Sequence, residues 1–416
     1  MRHLLVAAVL VCAMPAPGHA QAARCGGSFD AWLAGLRAEA RSAGISSRTL
    51  AEAAPMMKVD ASVLARDRGQ QVFTQTFVEF AQRMAEGYRL PQGRERIKRN
   101  QATFTRIERD FGVPASVIVA FWALETDFGA NMGDIPTIRA LTTLAHDCRR
   151  PQLFRDQLLA ALGILEAGDL PLARMRGPFA GELGQLQFLP THYLAYAVDY
   201  DRDGHRDLIS STPDALASAA NFAARLGWRR GEPWLEEVRV PPNLAWDQCG
   251  LDIEHPRSQW ARWGVTRIGG RALKADGLPA SLLLPTGRHG PAFLAYPNFR
   301  IVHLEWNKSL VYATTAAYLA TRIDGQPRMT LTEKVPSLSL GQMKSLQQEL
   351  ATRGYEIGSI DGVLGMQTRV AVRDVQKKLA MPADSYPTAE LLQALRSGHG
   401  SSSPGPPATD PHPKPR

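Results

Sequence analysis

Past its first twenty residues this 416-residue chain contains no run of about 18 apolar residues, so nothing in it is built to cross a bilayer as a helix. It has no Cys-x-x-Cys and no His-Glu-x-x-His, which removes the common zinc frameworks. It also lacks a basic cluster. The formal charge is +8, but the arginines are scattered along the chain, so the electrostatic footprint of a nucleic-acid binder is missing and weak attraction to an anionic extracellular polymer is the simpler reading. What is present is 44% hydrophobic and 21% charged residues, the make-up of a globular protein long enough for more than one domain.

The opening "MRHLLVAAVLVCAMPAPGHA" has a basic start, an apolar run from Leu4 to Met14 and a small-residue end at Gly18-His19-Ala20. It reads as a cleaved export signal over residues 1–20 and places the mature chain in the periplasm. A lipid anchor at Cys12 is not expected, because Val11 before it is bulkier than the small residue a lipoprotein signal carries there. Cleavage leaves Cys25, Cys148 and Cys249 in an oxidising compartment, hence one disulfide and one free thiol, with the pairing open.

Residues 21–325 read as one mainly α-helical domain, with apolar residues at helical spacing, as in Phe29, Trp32, Leu33 and Leu36, and Gly and Pro between them. The patch "HPRSQWARWGVTRIGGRALKADGLPASLLLPTG" breaks that pattern and reads as a small insert with a few short strands. Residues 326–338 read as a linker, and 339–397 as a compact three-helix unit built on Met343, Leu346 and Leu350, an "IDGVLG" turn and a helix start near Thr368. Such a small unit suits binding rather than catalysis. Asp361, Gly362, Gly365 and Thr368 are expected to set turns and caps there. The Pro- and Ser-rich end, 398–416, reads as a disordered tail.

One carboxylate stands out. In "FWALETDFGAN" Glu125 follows Phe121, Trp122, Ala123 and Leu124 and precedes a Phe-Gly break, near the end of a helix that starts around Pro114. The negative helix end and the apolar neighbours both disfavour ionisation, so its pKa should rise and the group can serve as a general acid. A second stretch, "FAGELGQLQFLPTHYLAYAVDYDRDGHRDL", brings glycines at 181 and 184, the amide of Gln187, and the rings of Phe188, Tyr193 and Tyr196. Amides read sugar hydroxyl and acetamido groups, and ring faces stack on pyranoses, although each ring alone fits core packing as well.

Together with the late "YPNFRIVHLEWNKSLVYATTAAYLATRI", these motifs resemble the lytic murein transglycosylase B family over about Phe29 to Ile323. The segment "LQQELATRGYEIGSIDGVLGMQTRVAVRDVQKKLAM" is similar to the peptidoglycan-binding domain of bacterial wall enzymes. The resemblance implies a lysozyme-like (transglycosylase) helical fold. It also implies cleavage of the β-1,4 bond between N-acetylmuramic acid and N-acetylglucosamine, with Glu125 as acid and then base and the sugar's own C6 hydroxyl as nucleophile. Gln187, Phe188, Tyr193, Trp306 and Asn307 are the implied substrate-binding residues. Peptidoglycan strands are the expected partner, other cell-wall enzymes are candidate protein partners, and a monomer without organic cofactor is the expected state. Pro178 stands where relatives often carry a small hydroxyl residue, and Trp306 where they commonly carry Tyr. Glu182 is a rival carboxylate that keeps a hydrolytic muramidase open, and a non-catalytic peptidoglycan-binding protein is the remaining alternative.

"DYDRDGHRDL" has its own chemistry. From Asp199, acids fall at loop positions 1, 3, 5 and 9 (Asp199, Asp201, Asp203, Asp207), with Gly204 at 6 and the His205 carbonyl at 7, as in an EF-hand. Ser210 replaces the usual glutamate at 12. The resemblance implies a structural Ca2+ loop closed by a later aspartate, for which Asp214 is available; Arg202 and Arg206 offer neutralisation without metal instead.

Overall fold

The computed structural model describes residues 25–69, 75–331 and 337–398. The export-signal segment 1–20, residues 332–336 of the expected linker and residues 399–416 of the expected tail lie outside the described residues.

The helix Ala115–Thr126 organises the larger body. Ten of its twelve residues are buried, which a sequence apolar on every face requires, so it runs through the middle of the body. Helices Arg89–Arg99, Gln101–Phe111, Thr212–Leu226 and Leu310–Ile323 pack around it. Leu310–Ile323 is itself mostly buried, and the core the helices share includes Phe104, Ile107, Ile118, Phe222, Ala313 and Leu319. A short antiparallel pair, β1 (Ile135–Pro136) and β2 (Arg176–Gly177), brings the two halves of the site loops together.

The insert is a five-stranded antiparallel sheet of β3 (Leu235–Arg239), β4 (His255–Pro256), β5 (Thr266–Arg267), β6 (Pro279–Leu283) and β7 (Ala292–Ala295), in the order β4-β6-β7-β3-β5. Its own core gathers Trp260, Leu282, Leu294 and Tyr296. The strands expected from the Gly- and Pro-rich patch are β4, β5 and β6. Their central partners β3 and β7 flank that patch, and β7 is buried on both faces, so it shows no alternation.

The C-terminal unit has helices Leu340–Thr352, Met366–Lys378 and Ala389–Arg396 around Leu346, Leu350, Val372, Leu391 and Leu395. Ser339 and Gln342 form a capping box at its start. Gly362 has φ +85° and a Cβ there would strike Leu340, while Asp361 accepts from the Val363 N–H, so both set the turn.

Although the intervening composition reads as a linker, this unit packs directly on the sheet. Arg369 donates to the carbonyls of Leu284 (3.1 Å) and Pro285 (2.6 Å), and Arg373 donates to the Cys249 carbonyl (2.7 Å) and pairs with Asp252. Asp384 accepts from the Arg288 N–H at 3.0 Å. Cys25 and Cys148 form the disulfide, and Cys249 is the buried free thiol.

Candidate active site

Glu125 lies on the last turn of the central helix and is half-buried. Two donors converge on its Oε1: the Tyr312 hydroxyl at 2.5 Å and the Trp306 indole N–H at 2.9 Å. Burial pushes its pKa up to about 7, against the opposing effect of those two hydrogen bonds, and the nearby Glu182 charge adds to the rise. Burial also raises the Tyr312 phenol far above its ordinary value, so it stays a donor. A carboxyl held in this state carries a proton near neutral pH and can deliver it to a leaving oxygen.

The chain after Glu125 is bent sharply. Asp127, Phe128 and Gly129 have φ of 50°, 62° and 87°, three successive residues in the left-handed region, where only the glycine is at ease. Side chains hold the bend. Arg89 pairs with Asp127 at 2.6 Å and the Tyr88 hydroxyl donates to it at 2.5 Å. The Thr126 hydroxyl donates to the Gln185 carbonyl at 2.6 Å and accepts from the Gly129 N–H, which ties "ETDFG" to "GELGQ". Gly184, with φ +79°, lies so close to Leu208 that a Cβ would collide with its carbonyl.

Trp306 is stacked on Phe121, with centroids 4.1 Å apart, and meets Phe188 edge-on. It follows a π-helical turn, Phe299–His303, whose fully buried His303 stacks on Phe299 and has its pKa pushed down to about 4 by burial. This histidine is neutral and packs as a ring. Asn307 precedes the next helix, its side-chain oxygen accepting at 2.9 Å from the N–H of Ser309, the residue whose hydroxyl caps that helix.

The sequence candidates therefore fall into two groups. Glu125 and Trp306 are in direct contact and Asn307 is the next residue along. Gln187 has φ 51° and turns its amide N–H back to the Gly184 carbonyl at 2.9 Å. Phe188 is buried beneath Trp306 and Phe222, and Tyr193 has no exposed surface and donates to the Arg206 carbonyl, so both rings lie in the core. Glu182 is close enough to raise Glu125, is itself raised by burial, and has a buried Oε2 with no hydrogen-bond partner among the described residues. Residues that the sequence did not single out are Tyr312, Gln185, Thr126 and the pair Tyr88 and Arg89. Of these, Tyr312 alone left a signal, as the tyrosine of the "N-x-S-x-x-Y-A" stretch.

In the acidic loop, Asp199, Asp201 and Asp203 bring carboxylate oxygens within 4.8 Å of one another. His205 directs its ring to the Gly168 carbonyl. Asp207 pairs with Arg174 at 2.7 Å, and Arg206 with Asp169. Asp214, fully buried, accepts from the N–H groups of Tyr200, Asp201 and Asp207 at 2.6, 3.2 and 2.9 Å. Neither arginine expected to neutralise the loop from within is paired to the three clustered acids among the described residues. The trio thus fits a divalent cation in charge and oxygen chemistry, with Asp214 shaping the loop behind it.

Residues 28–321 match the family model described as the transglycosylase SLT domain, and residues 339–395 match that of the peptidoglycan binding domain. The membrane-bound lytic murein transglycosylase B of Escherichia coli (strain K12) is 38% identical over 208 residues, 49% of this chain. That alignment spans 55% of the relative, so the chain matches about half of its length. Among solved structures, SltB3 of Pseudomonas aeruginosa in complex with NAG-NAM-pentapeptide superimposes with a TM-score of 0.83 at 40% identity, covering 89% of this chain and 100% of that one. Escherichia coli lytic transglycosylase Slt35 in complex with calcium gives a TM-score of 0.60 at 26% identity, covering 75% and 98%.

Proposed function

The chain belongs to the transglycosylase SLT domain family, and on that premise we propose that it is a lytic transglycosylase that cuts the β-1,4 bond between N-acetylmuramic acid and N-acetylglucosamine in peptidoglycan. The observation that carries this reading is Glu125, raised to about 7, with both neighbouring donors committed to one oxygen. Its other oxygen delivers the proton to the glycosidic oxygen as the C1–O bond breaks. The resulting carboxylate then takes the proton of the muramyl C6 hydroxyl, whose oxygen bonds to C1. Glu125 ends protonated, no water is consumed, and the product is a 1,6-anhydro ring. A single carboxyl suffices for this sequence, whereas the usual hydrolytic mechanisms need a second one.

The buried, unpartnered Oε2 of Glu182 favours one rival, a muramidase in which that group serves a water molecule. Mass spectrometry of muropeptides released from purified sacculi separates the two. The expected products end in 1,6-anhydro-N-acetylmuramic acid, one water lighter than hydrolytic ones; reducing-end muramic acid as the main product would install Glu182 instead. Sacculus binding without any soluble product would leave a binding protein.

The reading extends to the rest of the chain. The domain limits 21–325 and 339–397 and a periplasmic location follow from the sequence pattern, and within the described residues no helix is long and apolar enough to cross a membrane. The trio Asp199, Asp201 and Asp203 would hold Ca2+, with His205, Asp207 and Asp214 as the further candidates from loop spacing; the calcium-bound relative supports this. The ion would lock the loop and perform no chemistry.

A further inference from the structure

Tyr312, the shorter of the two contacts that fix Glu125, is on the first turn of the helix Leu310–Ile323. Consecutive helix residues are rotated by about 100°, so Leu310 and Tyr312 point about 200° apart, to nearly opposite sides. Tyr312 points at Glu125. Leu310, buried, points the other way, toward a small cavity of about 20 Å³ that it lines together with Met366, Arg369 and Val370 of the C-terminal unit and with Leu251, Leu283 and Leu284. Met366 belongs to the C-terminal helix Met366–Lys378, yet it packs against the core of the catalytic body. The first turn of the Tyr312 helix is thus wedged between the acid and the binding unit.

The seat of that unit is firm. Arg369 is nine-tenths buried, and its two terminal nitrogens donate to the carbonyls of Leu284 and Pro285, while its Nε has no partner among the described residues; burial lowers its pKa to about 10, so the cation persists at any physiological pH. Taking such a group out of water is offset only by well-aligned acceptors, which commits the unit to one orientation. Arg373 on Asp252 and the Cys249 carbonyl, and Asp384 on the Arg288 N–H, fix the remaining rotation. A Cβ at Gly287 would meet Tyr386 at 2.9 Å, so the surfaces are in close contact there.

We propose that the C-terminal unit is a positioning part of the catalytic machinery, with Arg369 as the positioning residue: it seats Met366 on Leu310 and so holds Tyr312 against Glu125. This rests on the assignment of Glu125 as the acid. A displacement of well under 1 Å at an acid held by two hydrogen bonds is enough to change turnover, because rate depends steeply on the geometry of the reacting groups.

The test is a double-mutant cycle in the full-length chain, read on a soluble peptide-free murein tetrasaccharide that a wall anchor cannot help to recruit. Arg369→Met, shown folded by a single melting transition, is expected to lower kcat roughly fivefold to tenfold with KM within about twofold. In a Tyr312→Phe background the same change should cost less than about twofold, because the contact it works through is already gone. Met366→Ala, which leaves the arginine seat intact, should reproduce both results and carries the test if Arg369→Met does not fold. An unchanged kcat in the folded variants overturns the proposal, and so does an equal loss in the two backgrounds. The cycle reads turnover whatever the product, so reducing ends from the wild-type protein would count against the transglycosylase reading alone.

Discussion

At the scale of single residues, the proposed chemistry requires that Glu125 stay protonated. Glu125→Gln should reduce turnover by roughly 100-fold or more without unfolding the chain, and Glu182→Gln should do much less. The wild-type kcat should fall on the alkaline side with a midpoint near the value of about 7 at which Glu125 loses its proton. The same shift has a cost for folding. Below about pH 4.5 the carboxyl is protonated in both states and contributes nothing; above that the unfolded chain ionises first, so stability declines as pH rises and the full penalty stands above pH 7. At about 1.4 kcal/mol per pH unit, this comes to ~3 kcal/mol. Urea unfolding should therefore find Glu125→Gln more stable than the wild type at pH 8 and nearly equal to it at pH 4; equal stability at both would mean that the carboxyl is not held in a dry setting.

At this scale the sequence was legible wherever a residue type conflicted with its surroundings. A carboxylate after four apolar residues is such a conflict, and the raised pKa expected of Glu125 from it is the one its burial produces. Tyr312 was not, because a tyrosine at a helical core position looks the same whether it packs or donates. Phe188 and Tyr193 show the opposite difficulty: an aromatic ring fits a core and a sugar face equally well, and their burial is a property of the tertiary fold.

At the scale of elements, the acidic loop shows what spacing can and cannot say. Positions 1, 3 and 5 converge, as the spacing requires, while the acids at 207 and 214 are drawn to Arg174 and to backbone N–H groups. If the trio holds calcium, the melting temperature should rise with added calcium, by mass action on the native state, and Asp201→Asn with Asp203→Asn should abolish the rise. Identical melting with calcium and with a chelator would leave the loop a purely structural device. The sheet was the less legible element. "LEEVR" and "AFLA" are too short and too uniform to show a period of two, and they become strands because each finds the other as its antiparallel neighbour.

At the scale of the molecule, two long-range ties could not be placed from composition, which called for one disulfide but left its partners open. The disulfide Cys25–Cys148 closes 123 residues of chain, so a Cys148→Ser variant should lose ~2–5 kcal/mol in chemical unfolding, chiefly through a freer unfolded state. The other tie is the bound orientation of the C-terminal unit, which rests on arginines that, by residue type alone, would be expected on the surface.

If the C-terminal unit grips the wall and Glu125 cuts it, that fixed orientation would turn the protein into a gauge. A wall-binding unit on a loose tether lets its blade strike anywhere within the tether's radius, and the fragments come out in a broad spread of lengths. With Arg369 and Arg373 clamping the two parts, the span from the point of grip to Glu125 becomes a constant of the molecule. Limited digestion of long glycan strands should then yield fragments clustered about a preferred size, and the cluster should broaden in Arg373→Met; the same spread from both proteins would mean that grip and cut are independent events.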